Sequence, residues 1–307
     1  MIAFRTSLLA TGIAVALWAS TLPVAAQQRF DTAEAAVDAL VTAARSGDRK
    51  TVLGILGPKA RDLLSSGDPV EDDNTKKAFL AAYDVKHRIE AESGKPSTLV
   101  IGAEDWPFPI PVVQKDGKWS FDAAAGREEI LARRIGRNEL STIQACLAYY
   151  DAQNEYADKT KDSNGMPVYA QRIISSPGKK DGLYWPTAAG EPDSPLGETV
   201  AAATEQGYKI GAGRIPFHGY YYKVLTRQGS SALGGAVDYV VGGNMIGGFA
   251  LVAYPAEYGN SGIATFMVNN DGVVFEKDLG ENTAKIAASI SEFNPDHTWK
   301  HAAAADE

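Results

Sequence analysis

Four short stretches carry residue types that could do chemistry, and each is tested by the local structure its chemistry would need. Ser176-Pro177-Gly178-Lys179 has the serine-to-lysine spacing of an S-x-x-K nucleophile. That chemistry needs the serine at the opening of a helix, so that the lysine one turn later faces its hydroxyl. Pro177-Gly178 predicts a turn instead. Gly259-Asn260-Ser261-Gly262 looks like a nucleophile-bearing turn, but a triad also needs a histidine base and an orienting acid. No layout to hold them is visible, and a plain turn is expected. Asp162-Ser163-Asn164-Gly165 starts like a calcium loop, yet Gln171 stands where the bidentate glutamate should be. It reads as a helix-ending turn. The run "GGNMIGG", residues 242–248, lacks the lysine and helix start of a phosphate loop. None of the four histidines, His87, His218, His297 and His301, lies in an H-E-x-x-H pattern, and the last two fall in a polar tail. The expectation is therefore no catalytic residue, no metal site and no cofactor.

Recognition chemistry is better represented. Trp185, Tyr220, Tyr221, Tyr222 and Tyr239 make the second half rich in aromatic residues, and such rings stack on sugars or anchor protein partners. Tyr220 and Tyr222 share one face of a strand while Tyr221 takes the other; ordinary sheet packing is the competing reading. Arg133, Arg134 and Arg137 form a cationic cluster that would hold an interdomain junction, offer carboxylates a surface, or remain solvated. The candidate binding residues are thus Tyr220, Tyr222, Trp185, Arg133, Arg134 and Arg137.

These side chains need elements to position them. Between residues 30 and 92 the apolar spacing is helical. Asp31 and Glu34 have capping-box spacing ahead of Val37, Leu40 and Val41. Gly47-Asp48 ends that helix and caps the next, and a third carries Phe79, Ala82, Tyr83 and Ile89. "STLVIGA" and "IPVVQKDGKWSFDAA" are strand material, joined in the latter by an Asp116-Gly117 hairpin. Between them "WPFPIP", residues 106–111, belongs at a sheet edge because alternate prolines remove alternate donors. Trp106 and Phe108 there are read as core aromatics or a recognition surface. "RRIGRNELSTIQACLAYYDAQNEYADK" is one amphipathic helix running from near Gly126 to Lys159, weakened at Gly136. Cys146 on its apolar side is the sole cysteine and cannot form an internal disulfide; a buried thiol or an intermolecular bridge remains. The rest reads as a loop-rich middle, an antiparallel meander and a closing helix over Glu281 to Phe293. The expected fold class is α+β: a helical first domain with a small sheet (27–124), then a long helix on an antiparallel sheet (125–307).

The chain opens with Arg5, an apolar core over Ser7 to Leu22, and small residues at Val24-Ala25-Ala26. This is the pattern of a signal peptide over 1–26, cleaved near Ala26, which implies a periplasmic or secreted protein. The remaining chain of about 280 residues suffices for two domains. The net charge of −8, without a basic stripe, argues against nucleic acid as partner. No later apolar run reaches the length of a membrane span.

Several long strings carry a resemblance. "EDWPFPIPVV", "SSPGKKDGLYWP", "FHGYYYKVLTRQG" and "MIGGFALVAYPAEYGNSGIATFMVNNDGVVFEKDLG" resemble an exported bacterial family known as domain of unknown function 2950, which implies no activity, cofactor or site residue. The order of "RNELSTIQACLAYYDAQNEYA", "GYYYKVL" and "AYPAEYGNSGIATFMVNNDGVVF" is similar to type II secretion pseudopilin and minor-pilin heads. That likeness implies a helix packed on a small antiparallel sheet, here without a membrane stalk. A non-catalytic envelope binding or scaffold protein is expected, with an envelope protein or cell-wall glycan as partner. The alternative is a wall-directed carbohydrate-binding protein or hydrolase with scattered carboxylates.

Overall fold

Helix signals in the first hundred residues act locally, with one change at the start. In the computed structural model, which describes residues 27–91, 95–209 and 215–302, α1 spans Ala33–Ser46. The expected signal peptide lies outside the described residues. Thr32 caps α1 by accepting from the Ala35 amide at 3.0 Å. The Asp31/Glu34 box does not form, because Asp31 turns outward to Lys118. Gly47 ends α1 at φ 72°, and Asp48 caps α2 (Arg49–Leu56) through the Thr51 amide. Short 3-10 turns at Pro58–Ala60 and Asp62–Leu64 lead to α3 (Pro69–Val85).

The first sheet follows in antiparallel order: β1 (His87–Glu90), β2 (Thr98–Ile101) and β3 (Trp106–Pro107). Ile89, expected on the third helix, is instead in β1 opposite Leu99. β3 is an edge strand, as its prolines require. The two aromatics of the 106–111 stretch divide: Phe108 packs 5.2 Å from Phe79, while Trp106 stays 40% exposed under the Arg133 guanidinium. β4 (Val112–Lys115) and β5 (Lys118–Phe121) form the expected hairpin, with Asp116 and Gly117 both at positive φ. Leu40, Ile55, Leu99, Ile101 and Phe121 lie at the centre of this first core.

α4 (Arg127–Lys159) runs 33 residues without a break at Gly136, about 50 Å at 1.5 Å per residue. Its buried side changes partner along the way. Ile130 and Leu131 pack on the first core, whereas Ile143, Cys146, Tyr149 and Ala152 enter a second one. α5 (Gly197–Glu205) lies in the stretch expected to be loop; its alanine-rich sequence buries only Val200 and Ala203, too few apolar positions to show a period.

The main sheet is five-stranded and antiparallel, in the order β14-β13-β12-β11-β6. It comprises β6 (Tyr220–Leu225), β11 (Ala250–Pro255), β12 (Ala264–Asn269), β13 (Val274–Asp278) and β14 (Lys300–His301). Two small pairs interrupt it: β7 (Arg227–Gln228) with β8 (Val237–Asp238), and β9 (Val240–Val241) with β10 (Asn244–Met245). "AVDYVV" therefore splits at Tyr239, whose ring goes into the core and whose amide bonds Thr226. The closing helix is shorter than expected: α6 covers Thr283–Ser289. Ile290 turns extended so that Phe293 can bridge β7 beside Gln228. The architecture is α+β, with α4 packed on the antiparallel sheet.

Candidate functional site

Where α4 passes from one core to the other, polar side chains replace apolar ones. Asp68 is at the centre, fully buried. Its Oδ1 caps α3 by accepting from the amides of Val70 and Glu71 at 3.1 and 3.2 Å. Its Oδ2 accepts from the Tyr208 hydroxyl at 2.8 Å and the Gly219 amide at 3.0 Å. One carboxylate thus serves as helix cap and as clasp to the second half of the chain. Burial, and then the bond to Asp68, pushes the Tyr208 phenol above its ordinary range. Beside it, burial lowers the His218 imidazole against the pull of Asp68. Gly219 sits at φ 74°, and a Cβ there would stand 2.6 Å from Asn138 Nδ2. The position needs glycine on both counts.

A second row of bonds runs alongside. Asn138 donates to Ser261 O at 2.9 Å, and Glu139 accepts from the amides of Ile263 and Ala264. Arg134 donates to Leu63 O at 2.6 Å, to Asp62 O at 3.3 Å and to Asn260 Oδ1. Asn260 Nδ2 in turn donates to Ser65 O at 2.8 Å. Burial pulls the Arg134 guanidinium below its usual range, with Asp72 opposing. The Gly259–Gly262 stretch is therefore a latch, and the Ser261 hydroxyl is spent on the Glu257 backbone.

The arginine cluster divides between two places. Arg134 and Arg137 face the seam, Arg137 reaching Glu71 at 2.9 Å. Burial raises the Glu71 carboxyl and Arg137 counters it. Arg133 pairs with Glu129 at 2.5 Å and lies 5.3 Å over Trp106. All three are occupied internally.

The strand aromatics correct the exposed-ring reading. Tyr220 is fully buried, donating to Ala264 O at 3.0 Å. Tyr222, half-buried, turns toward α4 with its hydroxyl 3.4 Å from Thr142 Oγ1. Their shared face is the one that α4 covers, because two large rings gain more by burial under a helix than by facing water. Trp185 is half-buried, with Tyr156 edge-on at 6.4 Å and Lys180 Nζ 5.4 Å from its ring. Its indole nitrogen has no hydrogen-bond partner.

The remaining motifs resolve into turns. Ser176 donates to Asp181 at 2.8 Å while Lys179 closes the turn onto Ser176 O. Asp162 accepts from the amides of Asn164 and Met166. Among the described residues no group of three or more His, Cys, Asp or Glu is placed to hold a metal ion. No helix among them is long and apolar enough to cross a membrane. Cys146 is buried, and its surroundings push the thiol up to about 12.

On the rim of the seam lies a polar cleft. Arg49, Arg61, Asp62 and Arg127 line one side and the Glu257–Asn260 turn the other. Asp68, Tyr208 and Asn138 carry no motif in the sequence, and Asn260 stands out there only as part of an expected turn. "SGDP" does mark Asp68 as a helix cap, but nothing local joins it to partners 140 and 151 positions away. No curated protein matches the chain, and no solved structure does either, so the pseudopilin-head likeness rests on element order alone. A family model described as a protein of unknown function, DUF2950, matches residues 27–302. With its match spanning both cores and the seam between them, the chain belongs to the DUF2950 family.

Proposed function

We propose that this is an exported, non-catalytic binding or scaffold protein of the cell envelope. Two units, residues 27–124 and 125–307, are held as one body by α4, and the second is a pilin-head-like module. The seam supports this reading: Arg134, Asp68 and Asn260 are spent on bonds across it, and an open polar cleft remains on its rim. The partner is an envelope protein or a cell-wall glycan meeting that cleft. The test is crosslinked capture from the native envelope with wild type and Arg49→Gln/Arg61→Gln. One reproducible partner that the double variant loses is the expected result. Equal recovery by both proteins overturns the role of the cleft, and no specific recovery overturns the scaffold reading.

A second reading has its own observation. Asp62 and Glu257 are two carboxylates lining the same cleft, and glycosidic chemistry uses such a pair. A wall-directed hydrolase would release soluble fragments from purified peptidoglycan, and Glu257→Gln would stop it. No release by wild type excludes that reading.

A further inference from the structure

We infer that the seam cleft binds an oxyanion, a carboxylate or phosphate group borne by an envelope molecule. This rests on the binding reading above and names the chemistry of the ligand. The chain as a whole carries a net charge of −8, yet three guanidinium groups face two carboxylates in this cleft. The pairings inside it do not use that charge up. Arg127 meets Asp62 at 3.2 Å, and Glu257 accepts from Asn260 Nδ2 at 2.7 Å. Arg49 and Arg61 are exposed and have no side-chain hydrogen bond or ion pair among the described residues.

Geometry adds to the charge. Arg49 and Arg127 are the first residues of α2 and α4, so both guanidinium groups stand at one opening, while the helix ends themselves already carry the Asp48 carboxylate and the first-turn Glu128 and Glu129. α4 begins without a side-chain cap. The segments that frame the cleft are held from beneath by the Arg134–Leu63 and Asn260–Ser65 bonds, while the Arg49 and Arg61 side chains are left to turn onto an incoming group. A guanidinium fork with unspent N–H groups fits the two oxygens of a carboxylate or phosphate better than any neutral group. Such a contact at a partly open cleft weakens as salt rises.

The test is calorimetric titration of the chain from Gln27 onward with three probes: inorganic phosphate, N-acetyl-D-alanine and neutral N-acetyl-D-alaninamide. At least one anionic probe is expected to bind saturably, with affinity falling as salt rises, and the amide is expected to give no heat. The stronger anionic probe distinguishes a phosphate-bearing from a carboxylate-bearing ligand. Arg49→Gln/Arg61→Gln should weaken binding at least about tenfold with an unchanged melting temperature, since both side chains are exposed. Asp62→Asn, which frees Arg127, should tighten it. Absence of saturable heat, or equal binding to wild type and the double variant, overturns the inference. Failure of the probes alongside a captured partner would remove the oxyanion chemistry and leave the binding reading standing. Probe binding without a captured partner would do the reverse.

Discussion

Asp68 accepts four hydrogen bonds, two from its own helix and two from groups in the second half of the chain. Asp68→Asn keeps the shape but turns an amide donor toward groups that already donate. Leaving a buried donor unsatisfied costs about 1–3 kcal/mol, so a loss of about 2–3 kcal/mol is expected in urea unfolding. A loss below about 0.5 kcal/mol, the range of ordinary surface changes, would show that the clasp carries little energy. Cys146 makes the opposite kind of residue-scale prediction. Its thiol is buried and shifted up to about 12, and the thiolate is the nucleophile. Iodoacetamide should therefore label the folded chain at least about a thousandfold more slowly than the urea-unfolded chain, given ordinary domain stability. Rapid labelling in the native state would contradict the packing of α4 on the sheet.

α4 joins two packing environments within one continuous helix, and glycine at position 136 is its weak point in intrinsic propensity. A Cβ built there meets nothing within 4 Å, so the backbone has no steric reason to keep glycine. Gly136→Ala should stabilise the chain by about 0.5–1 kcal/mol and raise the melting temperature by about 2 °C. A decrease would mean that the helix must bend at this point. Other glycines are different. Gly262 underlies the Tyr220 ring so closely that an added Cβ would fall 2.0 Å from the hydroxyl oxygen, and no alanine fits there without moving β6.

On the scale of the molecule, the seam decides whether the chain unfolds as one body or as two. Two hydrophobic cores share α4 and are bridged by polar bonds as well. Arg134→Met removes the three donations to Asp62, Leu63 and Asn260 while keeping much of the side-chain bulk. Calorimetry should show one sharp transition for wild type and a broader one, tending towards two, for the variant, because the coupling between the cores is weakened while the Asp68 clasp and the Asn260–Ser65 bond remain. One unshifted transition in the variant would place the coupling in α4 and the remaining bonds, the Asp68 clasp and the Asn260–Ser65 and Arg137–Glu71 contacts.

What the sequence by itself determined is local. Gly47 and Asp48 delimit α1 and α2, Asp116-Gly117 turns its hairpin, and the prolines of 106–111 send that segment to a sheet edge. Each of these follows from backbone preferences of a few adjacent residues. The long helix was legible as well, since its apolar period extends over many turns. Only the tertiary structure decided which face of β6 lies under α4, and so moved Tyr220 from a candidate ligand ring into the core. It also decided that Arg134 would bind Leu63 and Asn260 rather than an incoming carboxylate, and that Arg49 and Arg61 would meet Arg127 around one cleft. Those outcomes depend on contacts between segments far apart in the chain, and no pattern of neighbouring residues encodes them.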